Sequence, residues 1–491
     1  MRLNKLLNNV EFTRLIGEWD IEISNISINS AENAKNCMLI IPRERTVLPN
    51  RDLLNGFSAI IYESPVFERL TGLRATVICV ENSRKAWATI AANLFEVDLS
   101  RLKLIAVTGT NGKTSTATMI KHILEYAGHK VGFIGTGKIS IGENLLSQSN
   151  YSMTTPDPTL LYQSIRKMQD ESVDFVVMEV SSHSLYFDKV SALKFELALF
   201  TNISSEHLDF HGTISEYLKA KLKLLHLSKK ALFNIDDYLL RECANNCAIP
   251  SKTVGILWRG DSYATDLIAT SKYRTSFMYR ETDFGFKAEL NLPGGFNVYN
   301  ALLAISAAIE LGIKPCIAKN AISSFKGVEG RYEIAYEGDI TVVIDYAHTE
   351  AAFETLLLSL KQHSKDGKIS VVFGCGGERY REKRASMAKI AERHAEKIYV
   401  TSDNSRKEPP SQIFSDIEKG FSGNTPYKLI EDRREAINAA ICEADNGDTV
   451  ALVGKGAEKY NIDAEGYHSF DERSIIAEAI VSRRRKNASY S

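Results

Sequence analysis

The sequence predicts an α/β protein of three domains: a small α/β unit at the N-terminus, a central domain on a mainly parallel sheet, and a Rossmann-like α/β domain at the C-terminus. Three observations predict this. At 491 residues the chain exceeds what one hydrophobic core organises, and its length suggests about three domains. From residue 101 onward, short apolar runs alternate with segments of helical periodicity, as parallel strands covered by helices do. A second such cycle starts near residue 334, which sets the boundaries at 1–100, 101–333 and 334–491.

Within residues 1–100, Cys37–Pro42, Ser58–Tyr62 and Ala75–Val80 read as strands and Ser83–Leu94 as a helix. No pattern there carries chemistry by itself.

The central domain opens on Leu104–Leu124. Leu104–Val107 is an apolar strand, Gly109–Thr114 (Gly-Thr-Asn-Gly-Lys-Thr) is a tight turn, and Met119, Ile120, Ile123, Leu124 and Ala127 recur at helical spacing. Strand, glycine turn and helix N-terminus make a phosphate cradle from Gly109, Thr110, Asn111, Gly112, Lys113, Thr114 and Ser115. Lys113 is placed to reach the β/γ-phosphates and the Thr114 hydroxyl to ligate Mg²⁺. The loop is shorter than the common G-x-x-x-x-G-K-[ST] form, but it is of P-loop type, with Gly, Gly, Lys and Thr where a nucleotide and its Mg²⁺ need them. Val131–Gly135, Phe175–Val180 and Leu197–Asn202 follow as strands, with a helix at Pro158–Gln169. Phe286–Leu292 reads as an antiparallel strand before a helix at Ala301–Leu311.

In the third domain the strands are Thr341–Asp345, Ile369–Phe373, Lys397–Val400 and Thr449–Val453, separated by amphipathic helices such as Ala352–Gln362. Each strand ends in polar or glycine-rich residues, where a doubly wound sheet places ligands.

Composition excludes several classes. A net charge of −1 argues against a general nucleic-acid binder, and the run Arg483–Lys486 reads as a solvated tail. Seven scattered cysteines without a C-x-x-C pair suit a reduced compartment. Met1–Phe12 lacks the apolar core of a signal peptide, and no segment is apolar enough to span a membrane. The expectation is a cytoplasmic protein with no membrane or nucleic-acid partner.

Glu179, at the end of an apolar strand, needs a cation to meet it, and nucleotide-bound Mg²⁺ is the obvious one. His207 and His211 are four apart, but nothing completes a zinc site, so one histidine assisting Mg²⁺ is the better reading. Lys219, Lys221 and Lys223 share a helix, and periodicity cannot tell which of them points inward.

These residues, together with Thr154–Asp157, Thr201-Asn202, Phe296–Asn300, Gly330-Arg331, Asp345–His348 and Gly454–Gly456, resemble the signatures of the Mur ligases, in particular the MurE branch. The resemblance covers nearly the whole chain. It implies a nucleotide-sugar (UDP) domain, an ATPase domain and an amino-acid domain. The implied chemistry is ATP-driven formation of an acyl phosphate, then attack by an amine. Lys113, Glu179, His207 and Lys221 would then be catalytic. Thr114, Glu179, His207 and a carbamylated Lys221 would hold the metal, and Asn300, Arg331 and Asp345 would contact ATP. Ser30, Thr154, Thr155, Ser182 and Lys189 fall where a muropeptide acceptor would lie. Asp403-Asn-Ser-Arg406 is similar to the Asp-Asn-Pro-Arg signature of diaminopimelate-adding enzymes, and Arg384, Gly454 and Glu458 match further positions of that pocket. Arg406 would clamp a distal carboxylate. The implied partners are small molecules, a UDP-muramoyl-dipeptide and a diamino acid, and the implied state is a monomer.

The chain departs from the family pattern mainly around its specificity pockets. Asn29 stands near an expected Asp-Ser-Arg, and Phe187 and Lys189 replace Gln and Arg. Glu206 replaces Asp, Ser405 replaces Pro, and Ala457 replaces His. Three functions therefore stand: a ligase adding meso-diaminopimelate or L-lysine to UDP-N-acetylmuramoyl-L-alanyl-D-glutamate, a Mur-like ligase with another carboxylate acceptor, and a non-catalytic nucleotide-binding paralogue.

Overall fold

The computed structural model describes every residue except 32–34, 46, 64–69, 71, 147–152, 272, 364–366 and 490–491. Three sheets organise the chain, with a two-stranded ribbon, Tyr460–Asp463 and Gly466–Ser469, near its end.

The first sheet runs in the order Phe12–Ile16, Thr76–Val80, Ala59–Glu63, Cys37–Ile40, Asn25–Ser27. The edge strand Phe12–Ile16 is antiparallel and the others parallel. Asn82 caps the helix Ser83–Leu94 by accepting from the Lys85 N–H. That helix buries Trp87, Ile90 and Ala91 in an apolar cluster that continues into Leu161, Ile165 and Met168 of the central domain. Trp87 Nε1 also donates to Thr159 Oγ1 at 2.9 Å. The sheets separate near residue 100, while the hydrophobic core runs across that point.

The central sheet has eleven strands. Its middle is parallel: Ser251–Gly255, Ala231–Asn234, Leu197–Phe200, Lys103–Thr108, Phe175–Glu179 and Val131–Gly135. The strand Ser262–Ser271 extends this middle in parallel and then pairs antiparallel with Arg274–Arg280, which pairs with Gly285–Leu290. Sequence periodicity found only the last of these three. The register of Ser262–Ser271 shifts between Thr265 and Ile268, and Asp266 has a φ of 53°, so the alternation of side chains is broken there. Helix Lys113–Tyr126 packs on the helix Gly295–Glu310, longer than the expected Ala301–Leu311. The latter is buried nearly all round, its alanines allowing close approach, and its first two turns carry Asn297 and Asn300.

The third sheet runs Glu333–Glu337, Thr341–Asp345, Thr449–Val453, Ile369–Phe373, Lys397–Val400, Tyr427–Leu429, parallel except for the first strand. In-register pairing of Asp345, Val453 and Phe373 brings three strand-end loops to one edge. The basic run is helical and only partly solvated: Arg484 and Arg485 are exposed, whereas Arg483 is not. It lies within the helix Glu472–Ser489, and Arg483 is buried with Nε 2.7 Å from Asp339 Oδ2 and NH1 3.1 Å from the Ile441 carbonyl. A guanidinium on a long stem can serve buried acceptors that composition does not reveal.

Candidate active site

Parallel pairing sets Glu179 beside Val107, and Thr108 beside Phe200, so the phosphate cradle, Glu179 and Thr201-Asn202 share one sheet edge. Gly109 adopts φ 146°, and a Cβ there would collide with Thr201 Oγ1. The cradle is braced from that side. Thr201 Oγ1 donates to the Asn111 carbonyl at 2.6 Å, the Asn202 carbonyl accepts from the Thr110 N–H at 2.8 Å, and Asn202 Oδ1 accepts from the Asn111 N–H at 2.9 Å. Thr110 Oγ1 lies 3.1 Å from the Tyr217 hydroxyl. Gly112 opens the helix that begins at Lys113 and continues through Thr114 and Ser115, and Asn300 Oδ1 sits against it, 3.2 Å from Thr116 Oγ1.

Lys113 Nζ folds back onto the carbonyls of Gly109 and Thr110 at 3.0 and 2.7 Å. Lys221, from the helix Ile214–Leu222, reaches the same Gly109 carbonyl at 2.8 Å and lies 4.6 Å from the Tyr217 ring centre. Lys221 is therefore the inward lysine. Burial pushes its amine well below the ordinary lysine value, with Lys113 acting in the same direction and Glu206 opposing.

Glu179 is buried, and its oxygens accept from Thr114 Oγ1 (2.8 Å), the Thr136 N–H (3.1 Å) and Thr136 Oγ1 (3.4 Å). All these donors are neutral. A buried carboxylate beside a hydroxyl, with no cation paired to it among the described residues, fits a hard divalent cation. His207 holds a left-handed backbone, φ 55° and ψ 30°, a strained conformation of the kind found at functional sites. His183 lies edge-on to His207 and His211, ring centres 4.8 and 5.5 Å apart, and burial followed by those two rings pulls its pKa down to about 4. Among the described residues, no three His, Cys, Asp or Glu side chains converge as a complete metal cage.

The acceptor-side residues divide. Thr155 Oγ1 donates to the Glu179 carbonyl at 3.0 Å, Thr154 Oγ1 accepts from Thr136 at 3.2 Å, and Ser182 Oγ lies 3.1 Å from His211 Nε2. Lys189 is tied to Asp157 at 2.8 Å. Ser30 accepts from Arg45 at 3.1 Å in the first domain. Phe187 carries the Arg84 guanidinium on its face at 4.8 Å.

The segment leading into the third sheet, ahead of the expected boundary at 334, reaches the cradle through Arg331, whose NH2 lies 3.4 Å from Thr114 Oγ1 and whose guanidinium stacks 4.2 Å above the Tyr346 ring. Gly330 must be glycine, since a Cβ would strike the backbone of Gly456 and Ala457. Asp345 accepts from the N–H groups of Tyr332 (2.6 Å) and Ala347 (2.7 Å), fixing the strand-end turn. Burial raises its pKa, with Arg331 opposing. Glu206 Oε1 meets His348 Nε2 at 3.0 Å across the two domains.

Asp403, Asn404, Gly454 and Glu458 come together. Asn404 Nδ2 donates to Glu458 Oε2 at 2.9 Å, and Gly454 leaves room for the Asp403 carboxylate. Arg406, at φ 54°, returns its NH1 to the carbonyls of Gly377 (2.9 Å) and Asn404 (3.1 Å). Arg384 is not open to this pocket. It is fully buried, pairing with Glu408 at 2.8 Å and Asp416 at 3.0 Å. A residue match could not show that two carboxylates already occupy it. Sequence reasoning also missed the bracing role of Thr201 and Asn202, although the two form a recognisable motif, and the Tyr346 ring between Arg331 and Glu458.

A strand–glycine-turn–helix cradle, a buried carboxylate and an arginine reaching over from the segment that leads into the third sheet define an ATP-dependent ligase of the Mur type. Residues 107–308 match the Mur ligase middle domain and residues 330–456 the Mur ligase glutamate ligase domain. The chain belongs to the Mur ligase family. It is 36% identical over 488 residues, 98% of this chain and 99% of the relative, to UDP-N-acetylmuramoyl-L-alanyl-D-glutamate–2,6-diaminopimelate ligase 1 of Clostridium acetobutylicum. It is 38% identical over 488 residues, at the same coverage, to the ligase of that name (unnumbered) from Caldanaerobacter subterraneus subsp. tengcongensis. A solved structure of a 2,6-diaminopimelate ligase of this type superposes with a TM-score of 0.68 at 28% identity, over 99% of both chains. MurF from Acinetobacter baumannii shares the fold at a TM-score of 0.65 and 16% identity, over 97% of this chain and 98% of that one. No helix among the described residues is long and apolar enough to cross a membrane.

Proposed function

We propose that this chain uses ATP to join meso-diaminopimelate to the D-glutamate carboxylate of UDP-N-acetylmuramoyl-L-alanyl-D-glutamate, a step in peptidoglycan precursor synthesis. One observation carries the reading. Thr114 in the phosphate cradle touches Arg331, Arg331 stacks on Tyr346, and the Tyr346 hydroxyl reaches Glu458 Oε1 at 3.4 Å. In this reading the ATP site adjoins the group of Arg406, Asp403 and Glu458 through that chain of contacts. Those groups suit the carboxylate and ammonium of a diamino acid side chain.

In this reading the acceptor carboxylate attacks the γ-phosphorus and ADP leaves. The incoming amine then attacks the acyl carbon, phosphate departs, and the nitrogen gives up a proton. Lys113 swings from its loop carbonyls to the β/γ-phosphates, Arg331 adds charge from across the cleft, and Asn300 faces the adenine. Asp345 holds the turn that aims Arg331. Thr114 and Glu179, with His207 and a carbamylated Lys221, would hold Mg²⁺, which when bound neutralises charge between the two anions. Residues 1–100 bind the UDP moiety, 101–333 the ATP and 334–491 the amino acid, in a monomeric cytoplasmic enzyme. Ser30, Thr154, Thr155 and Ser182 line the acceptor path, Lys189 with them.

A second reading, another carboxylate acceptor, is favoured by Lys189 and Phe187, whose side chains are engaged by Asp157 and Arg84. The test is phosphate release with ATP, Mg²⁺, the UDP-dipeptide and meso-diaminopimelate, omitting one at a time. Release that requires all components supports the first reading, and silence with the dipeptide overturns it.

A further inference from the structure

Lys455 follows the strand Thr449–Val453 and has no solvent exposure, yet the mechanism above gives it no task. Its Nζ donates to Asn404 Oδ1 at 3.1 Å and to the Tyr460 carbonyl at 2.8 Å, and lies 3.5 Å from Asp403 Oδ1 and 3.9 Å from Glu458 Oε2. The Tyr460 and Phe470 ring centres stand 6.0 and 5.6 Å away. These four polar neighbours are all acceptors and the rings offer π-faces, so this is a site for an ammonium.

Two consequences follow. Asn404 Oδ1 takes both the Lys455 ammonium and the Ile462 N–H, at 3.1 and 3.0 Å, which leaves Nδ2 to face Glu458. Turned over, the amide would set its NH₂ against the ammonium and lose all three contacts. The second consequence concerns charge. Asp403 and Glu458 bring two negative charges, Arg406 one positive and Lys455 a second positive, so these four side chains sum to zero. The far end of 2,6-diaminopimelate, one ammonium and one carboxylate, also sums to zero, whereas the far end of lysine is a lone cation.

We propose that Lys455 is a specificity-determining positioning residue, which fixes the orientation of Asn404 and balances Asp403 and Glu458 so that the pocket takes a zwitterionic diamino acid in preference to a cationic one. The proposal rests on the reading of this pocket as the diamino-acid site.

The experiment compares kcat and KM for meso-diaminopimelate and L-lysine in the full-length wild type, K455M, K455Q and the double variant K455M/E458Q, with melting temperature and KM for ATP recorded for each. In K455M the KM for diaminopimelate rises about a hundredfold with a much smaller change in kcat, and the preference for diaminopimelate over lysine falls by about tenfold or more. K455Q, which keeps a donor for Asn404 but no charge, shows the lost preference with a smaller rise in KM. Removing one carboxylate in K455M/E458Q moves the preference back toward wild type. Equal losses for both amines, or an unchanged preference in variants that melt like wild type, overturn the proposal. A wild type that uses neither amine refutes the underlying reading instead, so the two failures are distinct. Should K455M not fold, the preference measured in K455Q decides.

Discussion

Lys221 Nζ sits 2.8 Å from the carbonyl oxygen of Gly109, a hydrogen bond spanning 112 residues that ties the helix Ile214–Leu222 to the phosphate cradle. The amine is buried and beside a second lysine, so its pKa lies well below the ordinary value. Between that depressed value and the ordinary 10.5, the folded state binds fewer protons than the unfolded one. Its protonation therefore opposes folding at low pH, and the opposition fades as pH rises through that window. Lys221→Met is expected to raise the melting temperature by roughly 2–4 °C near neutral pH, with a smaller gain near pH 10. A lowered pKa raises the fraction of this amine that is unprotonated and able to react with CO₂. Lys221→Ala is expected to lower kcat by at least about a hundredfold, and stripping CO₂ from the wild-type assay is expected to slow it, as phosphate release will report.

Gly109 and Thr201 leave no room for a side chain between them. Gly109→Ala is expected to abolish nucleotide binding by calorimetry, because the strained φ of 146° and the collision with Thr201 Oγ1 both move the loop. Thr201→Ser, which keeps the hydroxyl for Asn111, should bind nucleotide within a few-fold of wild type.

Arg331, in the segment leading into the third sheet, contacts Thr114 of the cradle. Arg331→Ala is expected to cut kcat by about a hundredfold. Arg331→Lys should recover little of this, since it keeps charge but loses the flat stack on Tyr346. Single-turnover phosphate release measures both.

Arg384, Glu408 and Asp416 form a buried ionic group. The Arg384 hydrogen bonds hold the Glu408 carboxyl at about 2, below its ordinary value of 4.5. A depressed carboxylate contributes stability fully above the unfolded value, and loses it as pH falls from 4.5 toward 2. Glu408→Gln is expected to cost about 3 kcal/mol at neutral pH, with the difference from wild type shrinking across that window in urea titrations. A change confined to KM for the amino acid would instead make Arg384 a ligand-contacting residue.

Much of this was legible in the sequence. The cradle could be read because Gly109, Gly112, Lys113 and Thr114 stand in one local stretch, and parallel strands announced themselves as apolar runs. The bulged strand Ser262–Ser271 was hidden because its register shift breaks alternation. The inward pointing of Lys221, the engagement of Arg384 and the burial of Arg483 depend on partners far away in sequence, which no local pattern encodes. Glu206 stood out as a departure, but its meeting with His348 needs two domains in place.

The central claim is that one cleft joins a phosphorylated carboxylate to a zwitterionic diamino acid. Its most direct test gives the protein ATP, Mg²⁺, UDP-N-acetylmuramoyl-L-alanyl-D-glutamate and equimolar meso-diaminopimelate and L-lysine, then weighs the product by mass spectrometry. The account predicts the diaminopimelate adduct in large excess, lost on Arg406→Ala. A lysine adduct in excess, or no adduct beside intact ATP binding, would contradict it.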